Sequence, residues 1–292
     1  MRHDDYKETH TQKETTPVQG LRIGIAGFGH LGSSLAAALV RNGFSTGDLL
    51  ISYGGSAATR ERACALGFGD CLTDGATLAG EADVVVLAAR PQDALSLAGP
   101  EGKRGAHWLS CMAGLSAELL RIVFRRDVAR MMCSGPDSIA EGAGIAALLP
   151  GDARTRALLG AMGLRTHTVG GEAELDAFTI GICIPAMLMN IPVEDAEVRA
   201  ALRRMAKSFP VYGVLGEWVR DILARNGRAA AGDVVAARLE GVSTKGGVTE
   251  AMTAALRRGT SFEAALRLGI ARAGEIRDGI AREVMAAVGL AG

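Results

Sequence analysis

From Leu21 onward, short runs rich in β-branched and apolar residues alternate with segments of helical period. The runs "LRIGIAG" (21–27), "LLISY" (49–53), "DVVVLAA" (83–89), "HWLSCM" (107–112), "VARMMC" (128–133), "GIAALLP" (144–150) and "RTHTVG" (165–170) predict strands. Between them, "LGSSLAAALVRN" (31–42), closed by Gly43, "AATRERACALG" (57–67), "PQDALSLA" (91–98) with Pro91 at its first position, and stretches near 116–124 and 152–162 predict helices. Strands alternating with helices imply βαβ units and a doubly wound parallel sheet. After Gly170 the strand pattern ends. Helical periodicity takes over near 172–190, 196–208, 210–225, 228–240, 249–258 and 261–287, which predicts an all-α second half.

The loop after the first strand decides what the sheet is for. "GFGHLG" sets Gly27, Gly29 and Gly32 in a G-x-G-x-x-G array between a strand and a helix, with Phe28, His30 and Leu31 as the intervening residues. Gly27 permits a tight turn, Gly29 lets the backbone approach a pyrophosphate, and Gly32 lets helix and strand pack closely. The free N–H groups at the helix start then face the phosphates. The expected architecture is an α/β Rossmann dinucleotide-binding domain over 21–170, an all-α domain over 171–292, and a polar, disordered tail over 1–20. At the end of the second strand, where an acidic residue would bind the ribose 2′-hydroxyl of NAD, the chain reads "SYGGSAATRER". Ser52, Ser56 and Arg60 stand there without a carboxylate before Glu61, which favours the 2′-phosphate of NADP. The other reading of Arg60 and Arg62 is as exposed helix residues.

Composition excludes several classes. The 32 basic side chains are matched by 32 acidic ones, so no surplus of positive charge points to nucleic acid. Five cysteines without CxxC spacing argue for reduced thiols in the cytoplasm and against a zinc site. The polar first twenty residues lack the apolar core of a secretory signal. "AFTIGICIPAMLMNIPV" (177–193) is too short and too proline-broken for a membrane span, and reads as a buried helix. Met187, Met189 and Met205 read as core or interface, and His107 and His167 as structural.

Taken together, "IGIAGFGHLGSSLA", "ADVVVLAARPQD", "SCMAGLS", "VARMMCSGPDSIAEGAGIAAL", "LDAFT" and "VSTKGGVTEAMTAALRRGTSFEAALRLGIARAGEIRDGI" resemble pyrroline-5-carboxylate reductase, in the family's order from Leu21 to about Ile280. The resemblance implies reduction of a cyclic imine with NADPH, and a helical domain that forms a homodimer by interleaving with its partner. It implies that Ala89, Arg90 and Pro91, and Met112 and Ala113, border the cofactor, Arg90 standing where the family usually has lysine. It implies that "STKGGVT" holds the substrate: Thr249 falls on the threonine whose hydroxyl bonds the imine nitrogen, with Ser243, Thr244, Gly246, Gly247 and Val248 around the substrate. Helix-start N–H groups and hydroxyls suit an anionic imine. Glu141, in the family's Glu-Gly-Ala setting, is expected as a buried loop anchor, and Asp176 as a carboxylate at a helix start.

One motif departs. Where the family has "SGSGPAY", this chain has "IGICIPAM", with Ile182, Cys183 and Ile184 in place of hydroxyl donors and close-packed backbone. The substrate is expected between this stretch and "STKGGVT". A site stripped of its donors does not treat the original substrate neutrally. Three readings follow: a pyrroline-5-carboxylate reductase with a rearranged pocket, a related oxidoreductase of the F420-dependent NADP type acting on another imine or keto substrate, and a non-catalytic NADP-binding regulatory dimer.

Overall fold

The computed structural model describes residues 18–99, 101–226 and 246–289. Its first part is a seven-stranded sheet: β1 (Ile23–Ala26), β2 (Leu49–Ser52), β3 (Val84–Leu87), β4 (His107–Ser110), β5 (Ala129–Cys133), β6 (Ile145–Leu149) and β7 (Arg165–Thr168), in spatial order β2-β1-β3-β4-β5-β6-β7. All seven runs read from the sequence are strands. The all-parallel expectation needs correction, because β6 runs antiparallel to β5, with Met131 opposite Leu148. Only eleven residues separate Cys133 from Ile145. That is at the short limit for a crossover, so the chain turns back beside the strand it has just left. β7 is again parallel to β6, after a connection long enough to hold a full helix.

The helices of this half are α1 (His30–Arg41), α2 (Ala57–Ala65), α3 (Gly75–Glu81), α4 (Ala94–Leu97), α5 (Ala117–Phe124), α6 (Pro136–Ala140) and α7 (Ala153–Ala161). Four of them start on a side-chain cap. Ser56, Asp74, Ser116 and Asp152 each accept the N–H three residues on, a bond whose loss costs about 1 kcal/mol. The sequence reading missed α3 and α6, both too short to show a helical period. β1 and β3 are buried on both faces, as central parallel strands are. Val18, expected in the tail, is 1% exposed and packs into the core beneath α1.

The second part is helical: α8 (Glu172–Gly181), α9 (Ile184–Leu188), α10 (Asp195–Met205), α11 (Val211–Asn226), α12 (Val248–Arg257) and α13 (Phe262–Ala287). The helix expected over 228–240 lies outside the described residues. These helices share one core with the sheet: Met132, Ala143, Ile145 and Ala147 join Phe178, Met187, Tyr212 and Trp218 in a single cluster. Trp218 Nε1 donates to Ala143 O at 2.8 Å, tying α11 to the start of β6. Each large apolar side chain fully buried here contributes about 1.5–3 kcal/mol. Met187 and Met205 lie in this core. Close packing continues at Gly181, where a Cβ would sit 2.2 Å from Leu215 Cδ1. The far end of α13 returns to the sheet, and Ile280, Ala281 and Val284 pack among residues of β3, β4 and α5. Among the described residues no helix is long and apolar enough to cross a membrane.

Candidate active site

The glycine loop sits at the C-terminal end of β1, where ligands of open α/β sheets bind. Gly27 has φ +103°, and its N–H donates to Ser52 O at 2.8 Å. A Cβ at Gly27 would lie 2.7 Å from Ala89 N, and one at Gly32 only 2.0 Å from Gly27 O. Both glycines therefore answer to close backbone approach within the fold. Gly29 differs. It is the N-cap of α1 with ordinary extended angles, and an added Cβ would meet nothing within 4 Å. The open face above it, at a helix start with no side-chain cap and no acidic residue in the first turn, fits the pyrophosphate of a dinucleotide.

The other nucleotide-side residues separate on inspection. His30 is exposed and Leu31 half-buried at the loop rim. Phe28 points away into the core, edge-on to Phe68 at 5.6 Å, so only its backbone is available to a ligand. The Ser52 hydroxyl is buried without a partner among the described residues. Ser56 caps α2 and donates to Thr59 Oγ1 at 2.8 Å. Arg60 is exposed on the same helix. Arg90 is an exposed side chain paired with Asp93 at 3.2 Å.

Beyond the ends of β3 and β4 lies a cavity of about 540 Å³. Pro91 and Gln92 form one side and Ala113 and Gly114 a second, while Gly246, Gly247, Val248 and Thr249 close the far wall. This brings the "GGVT" loop to the β3 and β4 loops. Met112 is buried just below, its N–H donating to Ser110 Oγ. The loop is tethered at Gly246, through both its N–H and its carbonyl. Gly246 N donates to Glu250 Oε2 at 2.5 Å, and Arg272 of α13 donates to Gly246 O at 2.9 and 3.1 Å. Thr249 is 5% exposed. Ser243 and Thr244 lie outside the described residues.

The remaining wall was not anticipated. Arg130, Met132, Asp176 and Thr179 line it. Arg130 rises from the second position of β5 with 1% exposure, paired with Glu172 and donating to Met112 O at 3.3 Å, while its Nε has no partner among the described residues. Glu172 also accepts from Ala117 N at 2.8 Å, so one carboxylate joins the buried guanidinium to the start of α5. Burial pulls the Arg130 guanidinium below its ordinary range, against the pull of Glu172 and Asp176. Asp176 sits in the second turn of α8, ion-paired with Arg277 of α13. Burial pushes its carboxyl up, although Arg277 and Arg130 both pull it down. Its expected part as a carboxylate serving the helix start is corrected: that place belongs to Glu172 and Glu174. An arginine amid an apolar strand, "VARMMC", was the available signal, since a charge on a buried face requires a partner.

Two further expectations change. Ile182, Cys183 and Ile184 are not among the described residues lining the cavity. They pack into the helical core, where Ile184 is fully buried. The half-buried Cys183 thiol, its pKa raised by burial, donates to the backbone carbonyl of Thr179 at 3.4 Å. Glu141 is exposed, so it anchors nothing by burial. The resting thiols Cys111 and Cys133 are buried and their pKa values raised, Cys133 to about 12, and all five cysteines are free. His107 is structural: its Nε2 lies 2.6 Å from Thr155 Oγ1, joining β4 to α7.

Residues 22–114 match the family described as NADP oxidoreductase, coenzyme F420-dependent. That match covers the glycine loop, the β3 loop and the β4 loop, about a third of the chain. Over nearly the whole length, the structure superposes on a pyrroline-5-carboxylate reductase from Coxiella burnetii with a TM-score of 0.56 at 20% identity, covering 88% of this chain and 98% of that one. The chain has the pyrroline-5-carboxylate reductase fold. A second reductase of this fold, from Streptococcus pyogenes, gives 0.55 at 20% identity over 88% and 98% of the two chains. A third, the Plasmodium falciparum pyrroline carboxylate reductase with NADP bound, gives 0.52 at 15% identity over 90% and 99%. No curated protein matches the chain in sequence. At these identities the pyrroline-5-carboxylate reductase fold is what is shared, and the chemistry has to be argued from the cavity.

Proposed function

We propose that the protein is an NADPH-dependent reductase of a cyclic imine, delivering hydride to the carbon of a C=N bond to give proline or an analogue. The observation that carries this reading is the meeting of the β3 and β4 loops with Thr249 and the start of α12 around one cavity. Bound at the glycine loop, the dinucleotide would supply the hydride. Gly27, Gly29 and Gly32 would seat its pyrophosphate, and Ser56 and Arg60 would favour NADP over NAD. Pro91 and Ala113 would flank the nicotinamide. The buried Thr249 hydroxyl, on the cavity wall, would bond the imine nitrogen, and α12's first N–H groups would hold a substrate carboxylate. Apolar Met132, Val248, Ile276 and Ile280 keep water from the reacting atoms.

A related oxidoreductase acting on another imine or a keto substrate is favoured by one observation, the packing of Ile182, Cys183 and Ile184 against the helical core where hydroxyl donors would stand. We further propose a homodimeric, cytoplasmic enzyme. The test is NADPH oxidation with a panel of cyclic imines and 2-oxo acids, beside calorimetry with NADPH and NADH. Turnover of a cyclic imine and tighter binding of NADPH are expected. NADPH binding without turnover of any member of the panel would defeat the reading, as tighter NADH binding would defeat the cofactor assignment.

A further inference from the structure

Resting on the imine-reductase reading, the cavity raises the question of where the proton comes from. Reduction of a C=N bond adds a hydride to carbon and a proton to nitrogen. Among the described residues lining the cavity, only Arg130 and Asp176 carry a titratable side chain, and a guanidinium does not release its proton in a protein. Thr249 is a hydroxyl, able to orient or relay a proton but not to act as its reservoir. The Cys183 thiol is half-buried and the Tyr212 phenol buried; burial raises both pKa values, and neither is among the described residues lining the cavity.

We propose that Asp176 is the proton donor of this site, giving its carboxyl proton to the imine nitrogen as hydride reaches carbon. In this step the C=N π bond breaks, a C–H and an N–H bond form, and reduced nicotinamide leaves oxidised. The Asp176 carboxylate that results is held by Arg277, paired with it directly, and by the charge of Arg130; solvent returns the proton. The groups facing Asp176 come from three elements. Arg277 and Asp278 lie on α13, Arg130 on β5, and Glu172 one turn earlier on α8. Two arginines favour the carboxylate, while burial and two neighbouring carboxylates favour the acid. Burial outweighs the two arginines, so the carboxyl lies above its ordinary value.

The variant Asp176→Asn keeps the shape and removes the proton. Wild type and variant are compared at one pH near neutral on a cyclic imine that is unprotonated there and on the N-methyl iminium of the same ring, which needs no proton. With Asp176 as donor, kcat on the neutral imine falls by about 10²-fold or more, the N-methyl iminium is reduced at the wild-type rate, and NADPH affinity is unchanged. Infrared difference titration of the apoprotein then shows one carboxyl titrating above the ordinary range in wild type and absent from the variant. Equal losses on both substrates would make Asp176 merely structural and overturn the proposal, as would no loss on either. If the asparagine variant fails to fold, Asp176→Glu replaces it, and the infrared band must shift with the longer side chain or the proposal falls. A wild type that binds NADPH but reduces neither substrate overturns the reductase reading, and this proposal with it.

Discussion

Replacing Gly29 by alanine separates what the glycine loop does for the fold from what it does for a ligand. Gly29 has φ −76° and ψ −162°, angles any residue adopts, and its added Cβ meets nothing within 4 Å. Alanine is a poorer N-cap than glycine by about 0.5–1 kcal/mol. It also restricts the unfolded chain, which returns about 0.4–1 kcal/mol. The two terms cancel, so the stability of the free protein stays within about 0.5 kcal/mol of wild type. Binding has no such offset. A methyl above the start of α1 holds a pyrophosphate away from the N–H groups, and losing one charge-assisted hydrogen bond costs about 1.5–3 kcal/mol, or roughly 10- to 150-fold in affinity for NADPH. The contrast is Gly32→Ala, whose Cβ would sit 2.0 Å from a carbonyl oxygen of the loop itself; it destabilises the free protein by about 1–3 kcal/mol. Denaturant melts and calorimetry with NADPH measure both quantities. If Gly29→Ala binds NADPH as wild type does, within about twofold, the open face above α1 does not receive the pyrophosphate.

Thr249→Val keeps the shape of the far wall but removes the hydroxyl. It is expected to lower kcat on an imine by about tenfold or more and leave calorimetric NADPH affinity alone; a fall in affinity with kcat intact would place Thr249 at the cofactor instead. Arg130→Met leaves Glu172 without its buried partner, and an unfolding titration should show a loss of about 3 kcal/mol. A neutral result would mean that the ion pair carries no net stability. His107 gives a pH test. Burial lowers its folded pKa, opposed by Asp152, so the unfolded chain takes up the proton more readily. Stability therefore falls as pH drops through about 6.5, the unfolded value, and on towards the depressed folded one. Melting temperatures at pH 7.5 and 5.5, for wild type and His107→Gln, should show this decrement in wild type alone.

Much of the fold was legible because its signals are local. Every strand announced itself as a short run of β-branched or apolar residues, and the glycine array stood between a strand and a helix as its chemistry requires. The one topological error, β6, turned on chain direction, which hydrophobic pattern does not encode; only the short span from Cys133 to Ile145 hinted at it. The site was legible by halves. Loop residues such as Pro91, Ala113 and Thr249 belong to motifs of contiguous sequence. Arg130, Glu172, Asp176 and Arg277 come from three elements up to 147 residues apart, and nothing in their neighbours' sequence names their partners. Phe28 shows the opposite failure. A residue inside a binding motif can serve the core, because alternate positions of a tight loop face opposite ways.

The most direct measurement of the central claim is isotope transfer. NADPH carrying deuterium at both C4 positions is incubated with the protein and a cyclic imine such as pyrroline-5-carboxylate, and the product is analysed by mass spectrometry and NMR. The account predicts one deuterium on the former imine carbon and a hydrogen exchangeable with solvent on the nitrogen. Bound NADPH that transfers no label to any cyclic imine would contradict it.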